Sequence, residues 1–205
     1  MTDTTALTAT LSEYDFIVVI DKSGSMGETD MPGGRSRWNY MQETATAFCR
    51  DIEKLDSDGL GLVLFSGSGI VAEDGVNVGR IKEIFAANHP GGSTPLAEAL
   101  EAALKLAGKS SKKDFIICFT DGVPDDQTRV INVIKRQANS QETDDACSIL
   151  FVQVGYDAGA TNYLRMLDDD LQKTGAKFDI VDVKTMNEAE KFASTAELIV
   201  AAING

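Results

Sequence analysis

Short apolar runs, each bounded by polar or glycine-rich segments, constrain this chain more than any other feature. They are Tyr14–Ile20, Leu60–Phe65, Phe115–Phe119, Ser148–Val154 and Phe178–Val183. Each is too short for a helix that buries itself and the right length for a strand. The first reads Tyr14-Asp15-Phe16-Ile17-Val18-Val19-Ile20, nearly all β-branched or aromatic after Asp15. A run with no polar alternation needs cover on both faces, which a parallel sheet sandwiched by helices provides. Ile70–Val78 alternates instead and carries Glu73 and Asp74, as an edge strand does. The short Ser66-Gly67-Ser68-Gly69 link predicts an antiparallel hairpin with the run before it.

Helical periods lie between the strands. Met41, Ala45, Phe48, Ile52 and Leu55 fall on one helix face, as do Leu96, Leu100, Ala103, Leu104 and Ala107, and Phe192, Ala196, Ile199 and Ile203. Weaker patterns cover 80–87, 128–138 and 162–171. Strands alternating with helices predict βαβ units with right-handed crossovers, hence an α/β, doubly wound sheet. A length of 205 residues suits one domain. We expect it to span 13–205, after a polar, Thr-rich segment 1–12 that is frayed. Lys22 to Trp38 is the long irregular stretch, with Gly24, Gly27, Pro32, Gly33 and Gly34. Such loops in compact domains are often functional.

Charge narrows the partner. Lys and Arg number 19 and Asp and Glu 32, a net charge of −13. That balance argues against nucleic acid and anionic membranes, which need basic surface, and favours a metal cation or a basic protein surface. The longest apolar run, Phe16–Ile20, is far short of the roughly 20 residues a bilayer span needs, so no membrane insertion is expected. Residues 1–12 lack the basic and apolar regions of a signal peptide. Cys49, Cys118 and Cys147 form no C-x-x-C pair and read as free, buried thiols in a reducing compartment. A cytoplasmic location follows as the expectation.

In open α/β sheets, ligands bind beyond the carboxyl ends of the strands. Three polar clusters fall there: Asp21-Lys22-Ser23-Gly24-Ser25-Met26, Gly91-Gly92-Ser93-Thr94-Pro95, and Thr120-Asp121-Gly122 running on to Asp125 and Asp126. If the first strand and the strand ending at Phe119 are neighbours, Asp21 and Asp121 face one crevice. With Ser23, Ser25 and Thr94 they offer hard oxygen donors alone, a set suited to Mg²⁺, Mn²⁺ or Ca²⁺ and not to Zn²⁺ or Cu²⁺. Few carboxylates and several hydroxyls point first to Mg²⁺; Ca²⁺ and Mn²⁺ stay open. Each cluster also has a purely structural reading. Asp21 and Ser23 can form an Asx turn, Thr94 can cap a helix with Pro95 at its first position, and Asp121-Gly122 can be a plain turn, with Asp125 or Asp126 capping the next helix. Their joint occurrence at three strand ends favours the metal.

These residues carry a resemblance. Asp21-x-Ser23-x-Ser25, then Thr94, then Asp121 in a Thr-Asp-Gly context resembles the metal-ion-dependent adhesion site of von Willebrand factor type A domains, nearest to bacterial stand-alone members. The resemblance runs from about Tyr14 to Ile203. It implies a mostly parallel six-stranded sheet in order 3-2-1-4-5-6 with one antiparallel edge strand and helices on both faces. It implies metal ligation by Asp21, Ser23, Ser25, Thr94 and Asp121, the last often through water. It also implies a non-catalytic module whose metal bridges to an Asp or Glu of a partner protein. The longer glycine-rich loop from Gly27 to Arg37 departs from the pattern, and leaves open whether Glu28 or Asp30 adds a ligand or the loop sets partner choice.

Two other functions fit parts of the sequence. A regulatory subunit of an ATPase or stress-response complex differs in its partner alone. A metal-dependent hydrolase or phosphotransferase with Asp21 as nucleophile needs a second acid two positions on, where this chain has Ser23. The remaining candidates read as structural. His89 is a surface-loop residue, Trp38 and Tyr40 pack where the first helix begins, and Asp168-Asp169-Asp170 is a solvated helix end. Lys109-Ser110 lacks the first glycine of a P-loop, and Gly67-Ser68-Gly69 lacks the third glycine of a dinucleotide fingerprint.

Overall fold

The computed structural model describes residues 9–54 and 59–204. Among them six strands form one sheet: β1 (Tyr14–Asp21), β2 (Leu60–Ser66), β3 (Gly69–Val76), β4 (Lys113–Thr120), β5 (Cys147–Gln153) and β6 (Val181–Thr185), in the order β3-β2-β1-β4-β5-β6. All pairs are parallel except β2 with β3. The helices are α1 (Arg37–Ile52), α2 (Val78–Ala87), α3 (Leu96–Leu106), α4 (Gln127–Ser140), α5 (Ala158–Asp169), the short α6 (Met186–Ala189) and α7 (Thr195–Ile203).

The continuous apolar reading of β1 has its cause in two cores, one on each face. Phe16, Val18 and Ile20 pack with Met41, Phe48 and Ile52 of α1, Ile81 and Phe85 of α2, and Ile199 of α7. Ile17 and Val19 pack with Leu96 and Leu100 of α3, Val130 and Ile134 of α4, and Leu164 and Leu167 of α5. At the edge, β3 is largely exposed, as its alternation and acidic residues predict. Trp38 is buried and its ring lies 4.6 Å from that of Phe85, so it is a packing residue.

The boundaries differ in places. The sixth strand is Val181–Thr185, three residues later than the apolar run 178–183 at its start. Phe178 is held by packing against the α4–α5 side, Ile180 packs there too and gives only its carbonyl to the Ile149 N–H of β5 at 2.7 Å, and the Lys177 N–H is drawn to Asn139 Oδ1 at 2.7 Å. β3 stops at Val76 because Asn77 turns to cap α2, accepting from the Arg80 N–H at 2.9 Å. The irregular stretch after β1 contains a 3₁₀ turn at Gly24–Gly27 and ends where Ser36 caps α1 through the Asn39 N–H. Leu55 lies outside the described residues, as does most of the expected frayed segment 1–12. Of that segment, 9–11 is helical and Leu11 is fully buried in the α1 core. Cys49, Cys118 and Cys147 are free and buried. Among the described residues no helix is long and apolar enough to cross a membrane.

Candidate metal centre

Parallel pairing of β1 with β4, in register at Ile20 and Phe119, brings the two strand exits side by side. Asp21 closes β1 and Thr120 closes β4. The Thr120 hydroxyl donates to Asp21 Oδ2 at 2.8 Å, across 99 residues of chain. Asp21 Oδ1 accepts from the Ser23 N–H at 2.7 Å, which closes an Asx-type turn. Here the structural reading and the metal reading coincide: the turn sets Ser23 Oγ 3.1 Å from Ser25 Oγ. Ser25 Oγ in turn donates to Asp121 Oδ1 at 2.8 Å. Asp21, Ser23, Ser25 and Asp121 thus form one chain of carboxylate, hydroxyl, hydroxyl and carboxylate. Asp21, Ser23 and Asp121 are 0–2% exposed.

Thr94 reaches the site by another route. Its loop is stapled to the β1 exit by Gly24 N–H to Gly92 O at 3.0 Å and Gly91 N–H to Lys22 O at 2.8 Å. Gly92 has φ 88°, and a Cβ there would meet the Gly67 and Ser68 backbone at 3.0–3.2 Å, so this close approach needs glycine. Thr94 N–H donates to Asp125 Oδ1, and Asp125 N–H returns to Thr94 O, both at 3.0 Å. Thr94 is buried, and among the described residues its hydroxyl makes no hydrogen bond to the other four candidates. The expected cap is also absent: Pro95 takes the N-cap position of α3, with no side-chain capping bond. Asp126 does cap α4, accepting from the Arg129 N–H at 2.9 Å.

Burial pushes the Asp21 carboxyl up to about 6; hydrogen bonds from Ser23 and Thr120 oppose the shift, and the Asp121 charge adds to it. Neutral donors alone compensate this carboxylate, which is the situation a cation would relieve. Among the described residues no three His, Cys, Asp or Glu side chains converge on a metal-sized site. The donor set here is two carboxylates plus hydroxyls, and its chemistry fits a hard divalent ion.

One residue at this site escaped the sequence reading. Arg37 is buried, and its Nη1 donates to Asp121 Oδ2 at 2.8 Å. Nη2 reaches Glu28 Oε2 at 2.8 Å and Asp30 Oδ2 at 2.5 Å, and Nε reaches Asp30 Oδ1 at 3.0 Å. The guanidinium holds the Asp30 carboxyl below its ordinary range. This answers the question about the loop acids: Glu28 and Asp30 are turned onto Arg37. Of the two acids that follow Asp121 in its cluster, Asp125 accepts from the Thr94 N–H and Asp126 caps α4. The available signal was a cation in the first turn of a helix, where the macrodipole disfavours it unless acids are near.

The secondary candidates are accounted for locally. His89 is exposed. Lys109 pairs with Asp74 at 2.6 Å. The Tyr40 hydroxyl donates to Glu190. At the end of α5, Lys173 binds Asp170 at 2.6 Å, and burial together with Asp182, Asp169 and Asp179 pushes Asp168 up to about 6.

Comparison with known proteins agrees with this architecture. No curated protein matches the chain in sequence. Among solved structures, the SpRpn10 VWA domain superposes with a TM-score of 0.62 at 12% identity, covering 91% of this chain and 93% of that one. The manganese-loaded TRAP protein of Plasmodium vivax gives 0.61 at 16% identity, covering 90% and 74%. The pilus adhesin SpaC of Lactobacillus rhamnosus GG gives 0.56 at 18%, covering 93% of this chain and 30% of that one. Identities this low speak to the fold. The family model of the von Willebrand factor type A domain matches residues 16–123, from the middle of β1 through the Asp121 turn. The chain therefore belongs to the von Willebrand factor type A domain family.

Proposed function

We propose that this domain binds a partner protein through a divalent cation held by Asp21, Ser23, Ser25, Thr94 and Asp121. The observation that carries this reading is the hydrogen-bonded chain of Asp21, Ser23, Ser25 and Asp121 at adjoining strand ends, with all but half-buried Ser25 buried. When bound, the ion would supply an electrophilic open position for an Asp or Glu side chain of the partner. Asp21 gives the anionic anchor, Ser23 and Ser25 give weak hydroxyl donors that leave positive charge on the ion, and Asp121 faces the site by Oδ1. The donor chemistry favours Mg²⁺, with Mn²⁺ and Ca²⁺ next. The manganese-loaded P. vivax relative supports a divalent ion, and the family's broad use as protein-interaction modules supports a protein partner. We read the domain, residues 13–205, as a binding module and not an enzyme: Ser23 stands where an aspartyl-nucleophile phosphatase needs its second acid. Three buried, unpaired cysteines suit a reducing cytoplasm. A metal-dependent pull-down with identification by mass spectrometry separates a lone adhesion partner from a regulatory assembly.

The test is metal-linked stability. At about 100 times its dissociation constant, a metal that binds only the folded state raises stability by roughly 2.7 kcal/mol. Wild type should gain this with Mg²⁺ or Mn²⁺, and Asp21→Asn should lose most of it. Equal stabilisation of both proteins would sink the assignment.

A further inference from the structure

Asp121 is almost fully buried, and its two oxygens have different partners. Oδ1 accepts from Ser25 within the hydroxyl cluster, while Oδ2 accepts from Arg37. Arg37 is itself 6% exposed and immobilised from every side. Asp30 takes its Nε and Nη2, Glu28 takes Nη2, and its own backbone N–H donates to Glu28 O at 2.9 Å. Gly155, after β5, lies so close to the guanidinium that a Cβ would sit 2.6 Å from Cζ and Nε. The glycine-rich loop, the start of α1 and the exits of β4 and β5 therefore converge on one fixed cation beside the candidate metal ligands.

We propose that Arg37 is a positioning residue that sets the charge of the metal site, holding Asp121 by Oδ2 and offsetting part of the negative charge that Asp121, with Glu28 and Asp30 behind it, would otherwise present to a bound cation beside Asp21. The inference rests on the metal reading above. Its consequences have opposite signs. Without metal, Arg37 stabilises the fold, because Asp121 would otherwise be a buried carboxylate short of a partner. With metal, the positive charge of Arg37 repels the ion and occupies one oxygen of Asp121, so affinity is lower and the ion stays more electrophilic toward an incoming carboxylate. A purely structural arginine would have the first effect alone.

The experiment measures the Mg²⁺ and Mn²⁺ dissociation constants by calorimetry, and metal-free unfolding, for wild type, Arg37→Met and Arg37→Lys. Arg37→Met should unfold more readily without metal and bind the ion at least about tenfold more tightly. Arg37→Lys keeps the charge and should return the dissociation constant to within about threefold of wild type. If Arg37→Met does not fold without metal, Arg37→Gln, which keeps a donor and drops the charge, must show the same tightening. Neutral variants that bind as weakly as wild type, or more weakly, overturn the role of Arg37. Failure of wild type to bind either ion defeats the metal reading itself, so the two failures are distinct.

Discussion

Replacing Gly155 by Ala tests the packing around Arg37 without touching a candidate metal ligand. Gly155 has φ 74°, and its added Cβ would lie 2.6 Å from Arg37 Cζ and Nε and 2.9 Å from Nη2. Gly33 is a matched control: its φ is 79°, and nothing lies within 4 Å of a Cβ built there. Both substitutions place an L side chain in the left-handed region, which costs roughly 1–2 kcal/mol. Only Gly155→Ala must also displace a guanidinium whose bonds to Asp121, Asp30 and Glu28 pin it in place. Losing one charge-assisted hydrogen bond, such as that to buried Asp121, costs about 1.5–3 kcal/mol. Gly155→Ala should therefore destabilise by about 2 kcal/mol more than Gly33→Ala. For a chain of this size, that separates their midpoints by about 4–8 °C. Thermal unfolding followed by the fluorescence of the single tryptophan, Trp38, buried beside Arg37, reports the difference. In an Arg37→Ala background most of the excess cost of Gly155→Ala should vanish, since the three atoms nearest the added Cβ all belong to the Arg37 guanidinium. Equal costs for the two glycines, or an excess that survives undiminished without Arg37, would refute the contact argument.

Further outcomes follow from the same geometry. Thr94→Ala removes one buried methyl and a hydroxyl that does not cap α3, so metal-free stability should fall by only about 0.8 kcal/mol. It should also shrink the thermal shift produced by Mg²⁺; a metal shift left intact would remove Thr94 from the ligand set. Burial and the Asp15 charge push Asp114 up to about 6, while a 2.9 Å bond from the Gly108 N–H opposes the shift. A carboxyl whose pKa is raised on folding is most favourable protonated, so its contribution weakens as pH rises from about 4 through 6. Asp114→Asn keeps a carbonyl for Gly108 and carries no charge, so denaturation across pH 4–8 should show a flatter decline and a gain of up to about 2 kcal/mol near pH 7.5. An unchanged slope would count against the burial cause.

Much of the fold was legible because its signals are local. Runs without polar alternation in β1, β4 and β5 could only be strands covered on both faces, and the two cores supply that cover. Phe178 was misassigned to β6 because an apolar residue looks the same whether a ladder or a helix face buries it. The Asx turn at Asp21 and the cap at Asp126 were also legible, since each joins residues two or three apart. Thr94 looked like a cap by the same local logic, but Pro95 takes that position and its backbone ties to Asp125 instead.

The sequence by itself determined the alternation of strands and helices, and the placing of Asp21, Ser23, Ser25, Thr94 and Asp121 at strand exits and a helix start, because periodicity and turn chemistry act over a few residues. The net charge of −13 likewise pointed to a cation as the natural guest. Only the tertiary structure decided which acids remain free for one. Glu28 and Asp30 look like extra ligands in the sequence and are spent on Arg37, and Arg37 reaches Asp121 across 84 residues of chain. No local pattern encodes that meeting. It exists because parallel pairing delivers the ends of β1, β4 and β5 to one rim, where Gly155 leaves room for a guanidinium and burial leaves Asp121 in need of one.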